Sequence, residues 1–239
     1  MIEVSWRNSS DVPAVPCNDV PWRQSLSGVD DLDPTAELRL GETAVSLSQE
    51  AVKQREDDWL NAIADQLNRL GAVAYEWSPE KIDGHPAFVS AFAAATETAR
   101  KTNSPVKLLA LRNAVLNSVA PDAPDEDQQA VLLGWLQELT PWHLQILVVA
   151  ADPMGWFART GDLDHPAFDR WCTRGELLEA ALPLLRGHRD LYEAVGRDLD
   201  ARGLTSGSLQ ETRTAATVWT PWATALGQRL IAFSRVPRP

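Results

Sequence analysis

The amino-acid sequence predicts an all-α protein, a multi-helix bundle. Three observations lead there. Apolar residues recur at spacings of three and four in one stretch after another, the period of a helix with one buried face. Proline stands repeatedly just after a capping residue, in the first helical turn, where its missing N–H would have been unpaired anyway. Glycines or Pro-rich punctuation close the same stretches. Only one segment, residues 205–218, has the polar and β-branched composition for a short hairpin or an irregular loop.

The elements follow in order. Residues 1–35, with Pro13, Pro16, Pro21 and Pro34 and no sustained period, read as an extended or partly disordered lead-in that Trp6 and Trp22 could anchor. From about Ser46 the pattern becomes helical, with Trp59, Ile63, Leu67 and Leu70 on one stripe and Gly71 as the stop. Asp83-Gly84-His85-Pro86 opens the next helix, with Phe88, Phe92 and Ala95 facing inward. Ser104-Pro105 is an N-cap and first-turn proline for a helix carrying Leu108, Leu111 and Val115, flanked by Leu109 and Leu116. Asp125, Glu126 and Asp127 put negative charge at the start of a helix with the stripe Leu132, Trp135, Leu136 and Leu139, where the helix dipole favours it. Thr140-Pro141 starts a short apolar helix, with Leu144, Leu147 and Val148, that ends before Asp152-Pro153. Residues 154–164 read as turn-rich, and His165-Pro166 as a further short helix start. Leu177, Leu178, Ala181, Leu182 and Leu185 make one more helical pattern. Leu191, Val195 and Leu199 make another, separated from it at Gly187 and closed at Gly203. Leu226, Leu230, Ile231 and Phe233 mark a last amphipathic helix before Pro237. The phrase His-Pro-Ala-Phe occurs at both 85–88 and 165–168, but its surroundings do not repeat, so it reads as a helix-starting phrase used twice.

Composition narrows the function. With 44% hydrophobic and 23% charged residues over 239 positions, the chain can bury a sizeable core, as average globular chains do. No stretch approaches the roughly 20 apolar residues of a membrane span. The N-terminus lacks a basic start and apolar run, and Cys17 and Cys172 have no partner at metal or redox spacing, so a cytoplasmic protein is expected. The net charge of −11 opposes general duplex binding. Locally, the residues from Thr212 onward hold four arginines and no acid, enough for a small basic patch.

Reactive motifs are not conspicuous. His85, His143, His165 and His188 include no pair one helical turn apart, no Gly-rich phosphate loop occurs, and no G-x-S-x-G elbow is present. No catalytic, cofactor-binding or metal-ligating residue is therefore assigned, and no cofactor is expected. Asp122, Asp125, Glu126 and Asp127 lack the alternation of a calcium loop and read as a solvated helix start. The polar residues that stand out are Arg100, Lys101, Lys107, Arg112, Asn113 and Asn117. The two asparagines, one turn apart beside the most apolar helix, are expected to tie neighbouring helix ends or loops together, because buried amides must be hydrogen-bonded, with a binding patch as the alternative. Arg100, Lys101, Lys107, Arg112, Trp142 and His143 form the candidate interaction set.

Three runs then carry a resemblance: Lys107-Leu-Leu-Ala-Leu-Arg-Asn-Ala-Val-Leu-Asn117, Leu136-Gln-Glu-Leu-Thr-Pro-Trp-His-Leu144 and Leu226-Gly-Gln-Arg-Leu-Ile-Ala-Phe233. Their order is similar to that of helical bacterial proteins that include the Abi-alpha domain group, linked to abortive infection. The resemblance covers roughly residues 55–235. It implies a winged-helix-like end, in which Leu199, Gly203-Leu204 and Leu226-Gly227 take the places of the helix end, the turn into the wing and the closing helix, while Trp219 and Trp222 stand where a plain wing is expected.

The expected organisation is an extended or partly disordered segment at 1–45, a helical core at 46–186 and a winged-helix-like part at 187–239 packed on that core. The expected function is a non-catalytic interaction or sensor module with a protein partner, in a bacterial phage-defence or stress pathway, with nucleic acid disfavoured and oligomeric state left open. Two alternatives stand beside it. One is an enzyme with a site assembled from scattered polar residues, tested first at His143 and Arg112; the other is a DNA-binding regulator acting through the C-terminal part.

Overall fold

A computed structural model describes residues 37–40, 43–46, 49–74, 77–160 and 171–237. The expected lead-in over residues 1–35, Cys17 and the helix start at His165-Pro166 lie outside the described residues. The chain divides into two units, Met1–Ser46 and Leu47–Pro239.

In the first unit, β1 (Glu37–Leu40) and β2 (Thr43–Ser46) pair antiparallel, with Leu38 opposite Val45 and Arg39 opposite Ala44. The extended segment expected over 1–45 thus ends in a strand pair that was not singled out from the sequence. The signal was there: Leu38 and Leu40 alternate with Glu37 and Arg39, the period of a strand.

The second unit is built almost wholly of helices: α1 (Gln49–Gly71), α2 (Pro79–Ile82), α3 (Pro86–Arg100), α4 (Pro105–Asn117), α5 (Glu126–Glu138), α6 (Pro141–Ala151), α7 (Pro153–Thr160), α8 (Arg174–Ala181), α9 (Arg189–Ala201) and α10 (Ala225–Ser234). A 3-10 turn, Pro183–Leu185, links α8 to α9. Two short strands, β3 (Cys172–Thr173) and β4 (Thr212–Arg213), pair antiparallel. Fold class is therefore all-α, as the periodicity predicts.

α4 sits at the centre, against α1, α3, α5, α6 and α10. It is apolar on most sides, which is how a helix surrounded by others reads. Ala110, Leu111, Ala114, Val115 and Leu116 are all buried. Its start follows the sequence: Ser104 is extended, its hydroxyl accepts the Lys107 N–H, and Pro105 begins the helix. At its other end the two asparagines do what was expected of them. Asn113 Nδ2 donates to the Ser234 carbonyl at 3.0 Å, and Asn117 Nδ2 donates to Phe233 and Arg235 carbonyls at 2.9 and 2.8 Å. These are carbonyls at the end of α10 that no helical N–H can reach.

Several expectations need correction. Trp135 is only half-buried and Leu133 takes its place, because the inner face of α5 runs through Gln129, Leu132, Leu133 and Leu136. Residues 153–160 form α7 instead of a turn-rich stretch. Asp152 ends α6 and also starts α7, its Oδ1 accepting the Gly155 N–H at 2.8 Å with Pro153 in the first turn. On α9 the buried line is Tyr192, Gly196 and Leu199, which leaves Leu191 exposed at 53%. Of the two readings of residues 205–218, hairpin or irregular loop, the loop is the one found. β4 reaches back to β3, and Thr205 bridges to Ala223, so the segment is held by distant partners. With β1 and β2 the described residues thus hold two small sheets.

Candidate functional site

The sequence-selected residues do not form one patch. Arg100 pairs with Glu56 of α1, Nε to Oε1 at 2.7 Å, and exposed Lys101 pairs with Glu97 one turn back at 2.6 Å. Arg112 faces α1, near Asp65 and Arg69. Burial there, with the like charge of Arg69, holds its guanidinium below the usual range, and its Nε is buried without a partner. Lys107, Trp142 and His143 are different, since all three serve the junction where α5 ends and α6 begins.

That junction is short because Pro141 forces the residue before it to be extended, and Thr140 is extended. α5 therefore stops at once, with its last carbonyls unpaired. Lys107, only 8% exposed, reaches them from α4: its Nζ donates to the Gln137 carbonyl at 2.7 Å and to the Leu139 carbonyl at 2.8 Å. Burial pushes this ammonium below the usual lysine range.

His143 closes the start of α6. Its Nδ1 accepts the Thr140 backbone N–H at 3.2 Å and lies 2.7 Å from Thr140 Oγ1. A ring nitrogen that accepts a backbone N–H carries no proton, so the neutral ring holds its proton on Nε2. Nε2 lies 3.1 Å from Asp198 Oδ2 on α9, close enough to attract. Asp198 also accepts from Arg202 Nε at 2.9 Å, and Arg202 Nη1 donates to Glu138 Oε2 at 2.7 Å. A circuit of polar contacts thus runs from α6 to α9 and back to the end of α5. Burial holds the His143 imidazole below its ordinary range; Asp198 opposes that, while Arg202 and Lys107 add to it.

Next to His143, half-buried Trp142 lies against His188, ring centres 5.8 Å apart and planes tilted 55°. His188 precedes α9, and exposed Leu184 and Leu191 flank it in the chain. Sequence reasoning missed Asp198, Arg202 and Glu138. The one local signal was the Asp198 to Arg202 spacing of one helical turn.

A second polar cluster fixes the segment after α9. Buried Arg174 donates to the Ser206 carbonyl at 2.7 Å, lies 3.3 Å from Glu211 and sits over the Trp222 ring at 5.2 Å. Arg213 pairs with Glu211 at 2.7 Å. The chemistry of both clusters is that of clamps. Side-chain donors take up carbonyls that end a helix or bend a loop.

His143 and Arg112, the pair on which the enzyme alternative was to be tested, have different charged surroundings. Arg112 meets Asp65 and Arg69 of α1, whereas His143 meets groups of α4 and α9. Among the described residues no group of three or more His, Cys, Asp or Glu is placed to hold a metal ion, and no helix is long and apolar enough to cross a membrane. Comparison of the chain with protein-family models, with curated proteins and with solved structures gave no match.

Proposed function

We propose that the chain is a non-catalytic interaction module whose part over 187–239 is winged-helix-like and binds a protein partner through the start of α9. The order supports the first half of this reading: a helix (α9), a long loop held by β4 and by the Thr205 bridge to Ala223, and a closing helix (α10). The resemblance to the Abi-alpha group supports a setting in bacterial phage defence or stress.

One observation carries the choice of partner. In a winged helix that reads DNA, the helix before the wing presents basic and polar side chains to the duplex. The exposed positions of α9 mix Arg189 and Arg197 with Asp190 and Asp200, and Arg189 is already engaged by Glu193. Beside them stand exposed Leu184 and Leu191. Mixed charge around exposed leucine and a half-buried tryptophan suits a protein surface, where aromatic anchors dominate binding.

The test is capture of host proteins on the immobilised full chain, run with wild type and with Leu191→Asp. Leu191 is exposed, so the substitution leaves folding intact. A protein retained by wild type and lost on Leu191→Asp is the expected result. Equal retention by both forms, or no retained protein at all, overturns the reading.

A further inference from the structure

We propose that His143 is a proton-operated catch: neutral, it holds the first turn of α6 closed; protonated, it releases that turn together with Trp142. The argument begins with hydrogen-bond roles. Nδ1 of His143 faces the Thr140 backbone N–H at 3.2 Å and can serve it only as an acceptor. A proton added to the neutral ring has Nδ1 as its only vacant position. The imidazolium then points N–H at N–H, and the reciprocal cap between Thr140 and His143 is lost. The Thr140 hydroxyl can turn to accept from Nδ1, but the backbone N–H cannot.

The charges around the ring decide how the released state compares with the closed one. From α9, Asp198 favours the imidazolium and Arg202 opposes it. From α4, Lys107 opposes it, fixed in place by the carbonyls of Gln137 and Leu139. From α5, Glu138 is engaged by Arg202. Asp198 shares its Oδ2 between His143 and Arg202, so its charge is partly taken up already. Exposed His188, against Trp142, is the other imidazole close to the moving turn. The closed cap and the burial of the ring thus favour neutral His143. Acid is relieved by opening the turn to water.

His143→Gln separates the catch from a plain cap. Glutamine at the third helical position completes the same reciprocal cap and carries no titrating proton. The experiment is hydrogen exchange on the full chain, following the amides of residues 139–146 between about pH 7.5 and about pH 4.5, the span that brackets imidazole titration. Rates are corrected for the intrinsic pH dependence of exchange. In wild type the amides of the first turn of α6 should lose protection as the pH falls. The loss approaches about tenfold in rate for each unit by which the closed cap depresses the imidazole. His143→Gln should keep its protection throughout. Asp198→Asn, which removes the one group favouring the imidazolium, depresses the closed-state ring further, so its loss of protection should begin at the same pH and become larger than in wild type. His188→Gln should leave it where it is. The proposal is overturned if wild type and His143→Gln lose protection alike, if wild type keeps it across the whole span, or if His188→Gln abolishes the response.

Discussion

Lys107 shows how a single side chain can finish a helix to which it does not belong. Its ammonium is charged, buried and matched to two carbonyls, so removing it leaves the Gln137 and Leu139 oxygens unpaired. Lys107→Met keeps the length of the stem and should destabilise the protein by about 1–3 kcal/mol, the cost of unsatisfied buried acceptors. Urea unfolding checks this, and a neutral or stabilising result would mean that only the stem matters. On α5, fully buried Leu136 and half-buried Trp135 separate inner from outer face. Leu136→Ala should cost about 2–5 kcal/mol, and Trp135→Ala less. The reverse order would put the inner face where the sequence stripe first suggested. His143 gives a pH dependence whose sign is fixed by its depressed pKa. As pH falls through about 6.5, the unfolded chain takes up a proton before the folded one does. The stability His143 contributes is full above that value and is lost as pH drops toward the folded pKa. Denaturation midpoints of wild type should therefore fall relative to His143→Gln across this window and run parallel above it.

At the scale of elements, what was legible in the sequence was local chemistry. Ser104-Pro105, Thr140-Pro141 and Asp125 announce helix starts because a cap and its partner lie within four residues of each other. The pairing of Cys172 with Arg213 and the reach of Lys107 to Leu139 were not legible, since each joins positions that only the tertiary fold brings together. α7 was missed for a different reason: Asp152-Pro153 carries a stop and a start in the same two residues. Of the candidate site, Lys107, Trp142 and His143 were found as unusual residues, but the α9 carboxylate that faces His143 could not be. Glycines divide along the same line. Gly134, inside α5, has open space where a Cβ would go, so Gly134→Ala should stabilise by about 0.5–1 kcal/mol. In α10 a Cβ on Gly227 would lie 2.2 Å from the Leu204 carbonyl oxygen and 3.1 Å from Leu147. Backbone cannot yield there as a side-chain tip can. Gly227→Ala should push α10 off the turn after α9, at about 1–3 kcal/mol. Thermal melts of the two variants should move in opposite directions, and a shared direction would show that α10 does not close on Leu204 as described.

For the whole molecule, charge sets the terms on which it meets other macromolecules. The net −11 repels phosphate at long range, so a duplex must be held by local arginines against that field. Counting residues alone, the stretch from Thr212 offers four: Arg213, Arg229, Arg235 and Arg238. Four neutralised phosphates imply a slope near −4 on a log-log plot of affinity against salt. Arg213 is taken, because its guanidinium pairs with Glu211, and Arg238 lies outside the described residues. Arg229 and Arg235 are exposed. With Arg213 taken, three arginines remain and imply a slope nearer −3, too few phosphate contacts to outweigh the net charge. The protein should show no measurable duplex binding at physiological salt, and at most weak, shallow binding in dilute buffer. Fluorescence anisotropy of a labelled duplex titrated at several salt concentrations reads both quantities at once. Sequence-specific binding at physiological salt, abolished by Arg229→Ala or Arg235→Ala, would replace the protein-contact reading with that of a DNA-binding regulator. A slope of −4 or steeper would require Arg213 to leave Glu211 on binding, and Glu211→Gln should then strengthen the complex.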